Sequence, residues 1–262
     1  MNMNYFQRQM ELQDFDQTKI NDKTALILGV GGIGTNIAIA CCRLGFKKLI
    51  LLDYDIVEDH NLNRQQLYTK RHIGLSKVDC ALESLQQHHN LTSEIEIYNV
   101  DALKKWQLVL YLIKKSDIVF NTIDYGDHFD YAISCACYQL NTPMILGGTE
   151  PFYGHLVSTF LQTSENNDPC YACAHDIHKM IDREHIFNYQ CISFLPKDSQ
   201  PDKGGSTVYS AAICSHLIVS QYITYLMKQE NYQTKHQVIL RLINLDLDTF
   251  VCRKNDCCTI CG

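Results

Sequence analysis

Residues 24–53 read TALILGVGGIGTNIAIACCRLGFKKLILLD, and this stretch decides the fold. A short apolar run, Thr24–Val30, leads into a glycine turn; apolar residues at helical spacing then continue to Gly45, and a second apolar run, Lys48–Leu52, ends at Asp53. The pattern predicts strand, turn, helix and strand. Glycines let a backbone approach a phosphate closely, and a helix N-terminus offers free N–H groups. We therefore expect a nucleotide site, with Asp53 placed to accept hydrogen bonds from a ribose. The turn glycines are Gly29, Gly31, Gly32 and Gly34.

Composition places the chain among ordinary globular proteins. It has 262 residues, 46% of them hydrophobic and 20% charged, and a formal net charge of −6, which argues against a general nucleic-acid binder. No apolar run is long enough to span a membrane, and the polar start MNMNYFQRQMELQDF does not resemble a signal peptide, so a cytoplasmic location is expected. Thirteen cysteines in such a protein indicate reduced thiols and a metal site rather than disulfides.

The alternation of predicted strands and helices favours a single α/β domain over residues 1–262, with a Rossmann-like, doubly wound and mainly parallel sheet. We place a nucleotide-binding half at about residues 20–150 and a second half, with an antiparallel extension, at about 151–262. The predicted helices are Tyr5–Phe15, Ser76–Leu85, Leu103–Lys114, Tyr125–Leu140 and Thr207–Met227. The later predicted strands are Glu94–Val100, Asp117–Ile123, Pro143–Leu146 and His155–Gln162, followed by a hairpin of Gln237–Leu245 and Thr249–Arg253 that turns at Asp246–Asp248.

A polar segment directly follows Asp53, at the sheet edge where open α/β folds bind ligands. Asparagine and arginine beside a phosphate turn are suited to bind polyphosphate oxygens, although most such segments are plain connectors. Lys77, in the first turn of a predicted helix, opposes the helix dipole, which suggests a phosphate partner, although free surface lysines are common. Asp124 ends a strand and could hold magnesium or cap the next helix. The candidates in the segment are Asp55, Asn61, Asn63, Arg64 and Gln65.

Two CxxC pairs supply four thiolates. Cys170 and Cys173 lie in the middle of the chain, and Cys258 and Cys261 lie in its last residues. Two such pairs can complete a tetrahedral Cys₄ zinc site, which here would clasp the terminus to the middle of the domain. A redox CxxC is the rival interpretation, and Cys257 could replace Cys258 as a ligand, although the spacing favours Cys258.

Together these residues resemble the ThiF/MoeB family, the prokaryotic relatives of ubiquitin-activating enzymes, in its zinc-containing form. The resemblance covers essentially the whole chain. The residues that carry it are the glycine turn, Asp53, Asn61–Gln65, Lys77, Asp124, both CxxC pairs and the N-terminal Gln7-Arg8-Gln9.

The resemblance implies Mg-ATP-dependent adenylation of the C-terminal carboxylate of a small ubiquitin-fold carrier protein, or of a peptide with a free C-terminus. Asn61, Arg64 and Lys77 would contact phosphates and Asp124 would organise magnesium. Arg8, which by itself looks like a surface charge, would reach the partner's site in a homodimer. Cys191 is a candidate nucleophile for a later thioester, since residues 197–206 hold no cysteine. Tyr125 stands where relatives often have asparagine, which leaves the contacts to magnesium and the carrier tail open.

Three other functions compete. An NAD-dependent oxidoreductase explains GVGGIG, which fits GxGxxG, and Asp53, but it leaves Arg64, Lys77 and the four cysteines without a role. A catalytically inactive partner subunit conflicts with retention of Arg8, Arg64 and Asp124. A tRNA-modifying relative fits poorly with the net charge of −6.

Overall fold

Eight strands form one sheet. A computed structural model describes residues 3–88, 93–150, 156–163, 168–175, 205–228, 233–256, 258, 260 and 261. The strands are β1 (Thr24–Leu28), β2 (Lys48–Leu52), β3 (Glu94–Tyr98), β4 (Ile118–Asn121), β5 (Met144–Glu150), β6 (Leu156–Gln162), β7 (Gln237–Arg241) and β8 (Asp246–Phe250). Their spatial order is β3-β2-β1-β4-β5-β6-β7-β8.

The sheet is parallel from β3 to β5 and antiparallel from β5 to β8. The order in which the chain adds strands to the sheet reverses at β1, because β2 and β4 lie on opposite sides of it. A crevice at such a switch point is where open α/β sheets bind ligands. The predicted α/β fold, with its mainly parallel sheet and C-terminal antiparallel extension, is confirmed.

Helices cover both faces of the sheet. They are α1 (Gln7–Met10), α2 (Gly32–Leu44), α3 (Lys77–His88), α4 (Trp106–Lys114), α5 (Asp127–Gln139), α6 (Tyr171–His175) and α7 (Val208–Met227). Helices α2, α3 and α7 share one core cluster, and α4 and α5 share another. Strand β1 contributes side chains to both clusters: Ala25 and Ile27 pack into the first, and Leu26 and Leu28 pack into the second. Burial on both faces explains why the strand reads as an unbroken apolar run.

Several predicted boundaries are wrong. The N-terminal helix is the four-residue α1, preceded by a 3₁₀ turn. Strand β5 continues through Gly147 and Gly148 to Glu150 instead of ending before them. The C-terminal hairpin turns at residues 242–245, and Asp246–Asp248 belong to β8. By contrast, α7 begins where predicted, because the Thr207 hydroxyl accepts from the N–H of Ser210 at 3.2 Å and caps the helix.

The carboxyl ends of β2, β1 and β4 are level. Leu28 pairs with Leu52 on one side and with Asn121 on the other. Asp53, the glycine turn and residues 122–124 therefore leave the sheet at the same edge. Among the described residues, no helix is both long and apolar enough to cross a membrane.

Candidate functional site

The glycine turn joins β1 to α2 at this edge. Gly29 has φ of +87°, and a Cβ there would lie 3.0 Å from the backbone of Thr122. A Cβ on Gly34 would lie 2.0 Å from the carbonyl oxygen of Gly29. Only glycine fits at these two positions, which brings the first turn of α2 tightly onto the strand end. Gly31 is the N-cap of α2 and has no side chain to cover the free amides of the helix.

Three side chains from outside the turn hold its backbone. Asp53 Oδ2 accepts from the N–H of Val30 at 2.7 Å, and the Tyr68 hydroxyl donates to the carbonyl oxygen of Val30 at 2.7 Å. Thr122 Oγ1 donates to the carbonyl oxygen of Gly29 at 2.8 Å. Hydrogen bonds from three separate segments thus fix the backbone of the turn. The predictions from sequence missed Tyr68 and Thr122, because no local pattern marks a hydroxyl whose partner lies far away in the chain.

Asp53 is 8% exposed, and each of its oxygens accepts one backbone N–H. Burial raises the pKa of Asp53, while the positive charge of Lys77 and the two N–H groups oppose that rise. Each carboxylate oxygen has a second lone pair, so a ribose hydroxyl can still donate to it. The structure places Asp53 at the strand tip where the sequence predicted it.

The Lys77 side chain is 8% exposed, and its Nζ lies 2.7 Å from Asp55 Oδ2. The carboxylate of Asp55 is 49% exposed, and the charge of Lys77 also reaches Asp53. Lys77 thus pairs with Asp55 close to the strand tip, and its contact with a phosphate stays a prediction. Asn61 is buried, and its Oδ1 accepts from the N–H of Glu58 at 3.0 Å.

Arg64 lies over the start of α2. A Cβ on Gly32 would lie 3.5 Å from Arg64 Cγ, and Arg64 Nη1 donates to the carbonyl oxygen of His60 and to Asn63 Oδ1. Gln65 is 4% exposed and its Oε1 has no partner among the described residues. A buried amide oxygen without a partner is costly unless a ligand satisfies it. Arg64 and Gln65 thus both lie beside the turn as predicted.

Asp124 is exposed and follows the tip of β4, on the far side of the turn from Asp53. Helix α5 is capped by Gly126 rather than by Asp124. A carboxylate offers the hard oxygen ligand that magnesium prefers, and the role of Asp124 in holding magnesium stays a prediction. Cys191 lies outside the described residues, and its role as a nucleophile stays a prediction.

Arg8 is far from the turn of its own chain. Helix α1 packs at the C-terminal end of α2, where a Cβ on Gly45 would lie 2.6 Å from Phe6 Cζ and Gln9 Nε2 donates to the carbonyl oxygen of Leu44. The glycine turn is at the other end of α2, about 20 Å away for a helix of this length. The Arg8 side chain is 94% exposed and pairs with Glu11.

The four predicted cysteines converge. The Sγ atoms of Cys170, Cys173, Cys258 and Cys261 all lie within 4.8 Å of one another. Cys170 lies 3.8 Å from Cys173 and 3.5 Å from Cys258, and Cys173 lies 3.3 Å from Cys261. Sulfur atoms about 2.3 Å from one zinc ion in a tetrahedron would be about 3.8 Å apart, so the cluster fits zinc. The alternative ligand Cys257 lies outside the described residues.

Asp130, in the first turn of α5, accepts from Asn121 Nδ2 at 2.6 Å. Burial, together with the charge of Asp127, raises its pKa to about 8. Such a group binds its proton more tightly in the folded than in the unfolded chain. Its contribution to the free energy of unfolding therefore falls as pH rises between the ordinary value of 3.8 and about 8.

We therefore expect Asp130→Asn to melt a few degrees higher than the parent at pH 8, with no such advantage near pH 4. Asp79→Asn is the matched control, because Asp79 lies in the first turn of α3 and is exposed. Thermal melts of the three proteins between about pH 4 and 8 test this prediction. Parallel curves for Asp130→Asn and the parent would contradict a raised pKa of Asp130.

The ThiF family model matches residues 6–260. The chain is 32% identical over 177 residues to adenylyltransferase and sulfurtransferase MOCS3 of Drosophila yakuba, a match covering 66% of this chain and 37% of that protein. It is 34% identical over 165 residues to ubiquitin-like modifier-activating enzyme 5 of Bombyx mori, covering 60% of this chain and 41% of that protein. The chain thus spans well under half the length of these curated relatives.

Solved structures share the fold. E. coli MccB with ATP superimposes with a TM-score of 0.73 at 19% identity, covering 94% of this chain and 68% of that chain. PaaA superimposes with a TM-score of 0.73 at 20% identity, covering 95% of this chain and 82% of that chain.

Proposed function

Because the chain belongs to the ThiF family, we propose that it is an adenylyltransferase that joins AMP from ATP to the C-terminal carboxylate of a small ubiquitin-fold carrier protein. The observation that carries the proposal is Arg64 over the N-terminus of α2, with the buried Lys77 paired to Asp55 and close enough to Asp53 for its charge to act on that carboxylate. Two cations beside a row of free amides suit a triphosphate. An NAD-dependent oxidoreductase would not need them, since its chemistry lies at the nicotinamide.

The proposed reaction needs positive charge around the phosphates, and it needs no general base to activate the acceptor. The acceptor carboxylate is already ionised at neutral pH and attacks the α-phosphorus, so the bond from that phosphorus to the bridging oxygen breaks and pyrophosphate leaves. Arg64 and Lys77 would hold the β- and γ-phosphates and stabilise the charge on the departing pyrophosphate. Asp53 would accept from the ribose. Magnesium held by Asp124 would offset phosphate charge.

Thermal stability distinguishes the two nucleotide chemistries. ATP with magnesium at about a hundred times its Kd should raise the Tm by about 5–10 °C, because binding to the native state alone stabilises it by mass action. NAD at the same concentration should leave the Tm unchanged. The reverse result would overturn the proposed substrate.

We further propose that the enzyme works as a homodimer in which Arg8 serves the partner's site. Arg8 cannot reach its own turn from the opposite end of α2. A groove of about 380 Å³ beside α1, lined by Gln9, Arg43 and Leu44 and by His216, Val219 and Ile223 of α7, offers a surface for a second copy. A two-fold axis would then carry each Arg8 toward the other subunit.

Mixing two inactive variants tests this arrangement. Arg8→Ala and Arg64→Ala are each expected to be nearly inactive as homodimers. After mixing and subunit exchange, activity should recover to about a quarter of the parent's, since half of the dimers would hold one complete site of two. If Arg8 acted within its own chain, no mixed dimer would hold a complete site and activity would stay absent.

A peptide acceptor is the second candidate. The fold match to E. coli MccB, which has been solved with AMPCPP and MccA, favours it. The zinc clasp, the homodimer and the Arg64 site serve both acceptors, so an acceptor panel must include peptides. A covalent step at Cys191 could follow with either acceptor and leaves adenylation unchanged.

A further inference from the structure

Two successive peptide groups of the glycine turn are held by side chains from distant segments. In the group between Gly29 and Val30, the carbonyl oxygen accepts from Thr122 Oγ1 at 2.8 Å and the N–H donates to Asp53 Oδ2 at 2.7 Å. In the group between Val30 and Gly31, the carbonyl oxygen accepts from the Tyr68 hydroxyl at 2.7 Å. Asp53 is also the proposed ribose ligand, whereas Tyr68 takes no part in the proposed reaction.

Tyr68 is itself rigidly placed. The residue is 5% exposed and belongs to the core cluster of α2 and α3. Its neighbour Leu67 is tied to α3, because Ser84 Oγ donates to the Leu67 carbonyl oxygen at 2.6 Å. Burial, with the nearby charge of Asp53, raises the pKa of Tyr68 well above its ordinary value, so the hydroxyl keeps its proton and remains a donor.

Peptide geometry connects this hydroxyl to the ligand side of the turn. A trans peptide group is planar, and its C=O and N–H point in opposite directions. Fixing the carbonyl of Val30 on Tyr68 therefore directs the N–H of Gly31 away from Tyr68. Gly31 is the N-cap of α2, so its N–H joins the free amides that follow it at the helix start.

We propose that Tyr68 is a positioning residue for the phosphate-binding turn: its hydroxyl fixes the Val30–Gly31 peptide group so that the amides at the start of α2 face the nucleotide. The proposal rests on the nucleotide-binding function inferred above and extends it to a residue that touches no substrate. Phenylalanine would fill the same space, but it would leave a buried carbonyl unpaired and the peptide group free to rotate.

The test compares Tyr68→Phe with Ser93→Ala. Both remove a buried hydroxyl that donates to a backbone carbonyl. The two carbonyls belong to Val30, in the turn, and to Phe46, beyond the C-terminal end of α2, so only the first variant touches the turn. Amide hydrogen exchange without nucleotide is measured first. The Val30 N–H is bonded to Asp53 and the Thr35 N–H to the carbonyl oxygen of Gly31. We expect exchange of these two amides to speed up by about three- to tenfold in Tyr68→Phe, the range that one lost hydrogen bond gives. Ser93→Ala should leave them unchanged.

Nucleotide binding supplies the second measurement. The Kd for ATP should rise by about three- to tenfold in Tyr68→Phe, with kcat at saturating ATP nearly unchanged, because the turn contacts phosphates equally before and during reaction. Ser93→Ala should bind ATP as the parent does. If Tyr68 contributed only to overall stability, Tyr68→Phe and Ser93→Ala would change ATP binding alike, and the Kd for ATP would not change separately from kcat.

Thr122→Val guards against a variant that folds poorly. It removes the hydroxyl that donates to the neighbouring carbonyl oxygen of Gly29, while it keeps the shape of the side chain. It should speed up amide exchange in the turn as Tyr68→Phe does. Unchanged exchange of the Val30 and Thr35 amides in Tyr68→Phe, or in Thr122→Val if Tyr68→Phe does not fold, would overturn the inference. Equal changes in Ser93→Ala would overturn it as well. Failure of the parent to bind ATP would instead count against the proposed function, because the exchange measurement needs no nucleotide.

Discussion

Replacing Arg64 by alanine is expected to lower the rate of ATP–pyrophosphate exchange by about 10²- to 10³-fold, the loss typical when one charge-stabilising donor is removed. The guanidinium has five N–H donors, and Nη1 bonds to the carbonyl oxygen of His60 and to Asn63, which aims the group over the start of α2. Both partners lie near solvent, so the variant should keep the parent's fold and Tm.

Arg71→Ala is the matched control. Arg71 lies in the same polar segment and is exposed, and its Nη2 contacts Glu83 at 2.9 Å on α3 instead of the glycine turn. Its replacement should leave exchange within about twofold of the parent, since exposed ion pairs contribute little. Asp124→Ala should behave like Arg64→Ala. Near-normal exchange in both Arg64→Ala and Asp124→Ala would refute the assignment of the site.

Replacing Cys258 by serine is expected to release zinc and to lower the Tm by roughly 10 °C, the shift that a loss of several kcal/mol gives in a domain of this size. Cys170 and Cys258 are 88 residues apart in sequence, and their Sγ atoms lie 3.5 Å apart. A zinc ion held by these four cysteines would therefore join the last residues to the segment around α6. Tyr131 and Cys135 of α5 pack on the same cluster, so its loss would also loosen α5.

Cys252→Ser controls for the loss of a thiol nearby. Cys252 is half-buried and packs beside the cluster, but it is not among the four converging cysteines. It should retain zinc and nearly the parent's Tm. Metal analysis and thermal melts of the parent and both variants test whether the four cysteines hold zinc. Metal-free parent protein, or Cys258→Ser with the parent's zinc content and Tm, would show that the cluster is not a zinc site.

The centre of the fold follows from sequence because its signals are local. The unbroken apolar run of β1 needs burial on both faces, and the tight contact at Gly34 needs glycine, so strand, turn and helix can be read from residues 24–53. The convergence of the four cysteines could also be predicted, although the two pairs are far apart in sequence, since each CxxC spacing suits two ligands of one metal ion.

Other features depend on partners that the sequence does not reveal. Gly147 looks like a strand terminator, but a Cβ there would lie 2.8 Å from Ile218 Cδ1 of α7, so close helix packing explains the glycine. The hairpin turn contains apolar residues and ends at Leu245, whose φ is +59°. Without glycine or proline, its sequence does not look like a turn. Asp248 pairs with Arg241 across the two strands, so its segment is β8 and not the turn. Tyr68 and Thr122 were missed for the same reason.

ATP–pyrophosphate exchange with a panel of acceptors is the most direct test of whether this chain adenylates a C-terminal carboxylate. The purified protein is incubated with magnesium, ATP, labelled pyrophosphate and either carrier proteins ending in Gly-Gly or short peptides, each with a matched acceptor whose C-terminus is amidated. We expect exchange that depends on one acceptor and disappears when its carboxylate is blocked. Exchange that ignores the acceptor's C-terminus, or none with any acceptor although ATP binds, would contradict adenylation of a C-terminal carboxylate by this chain.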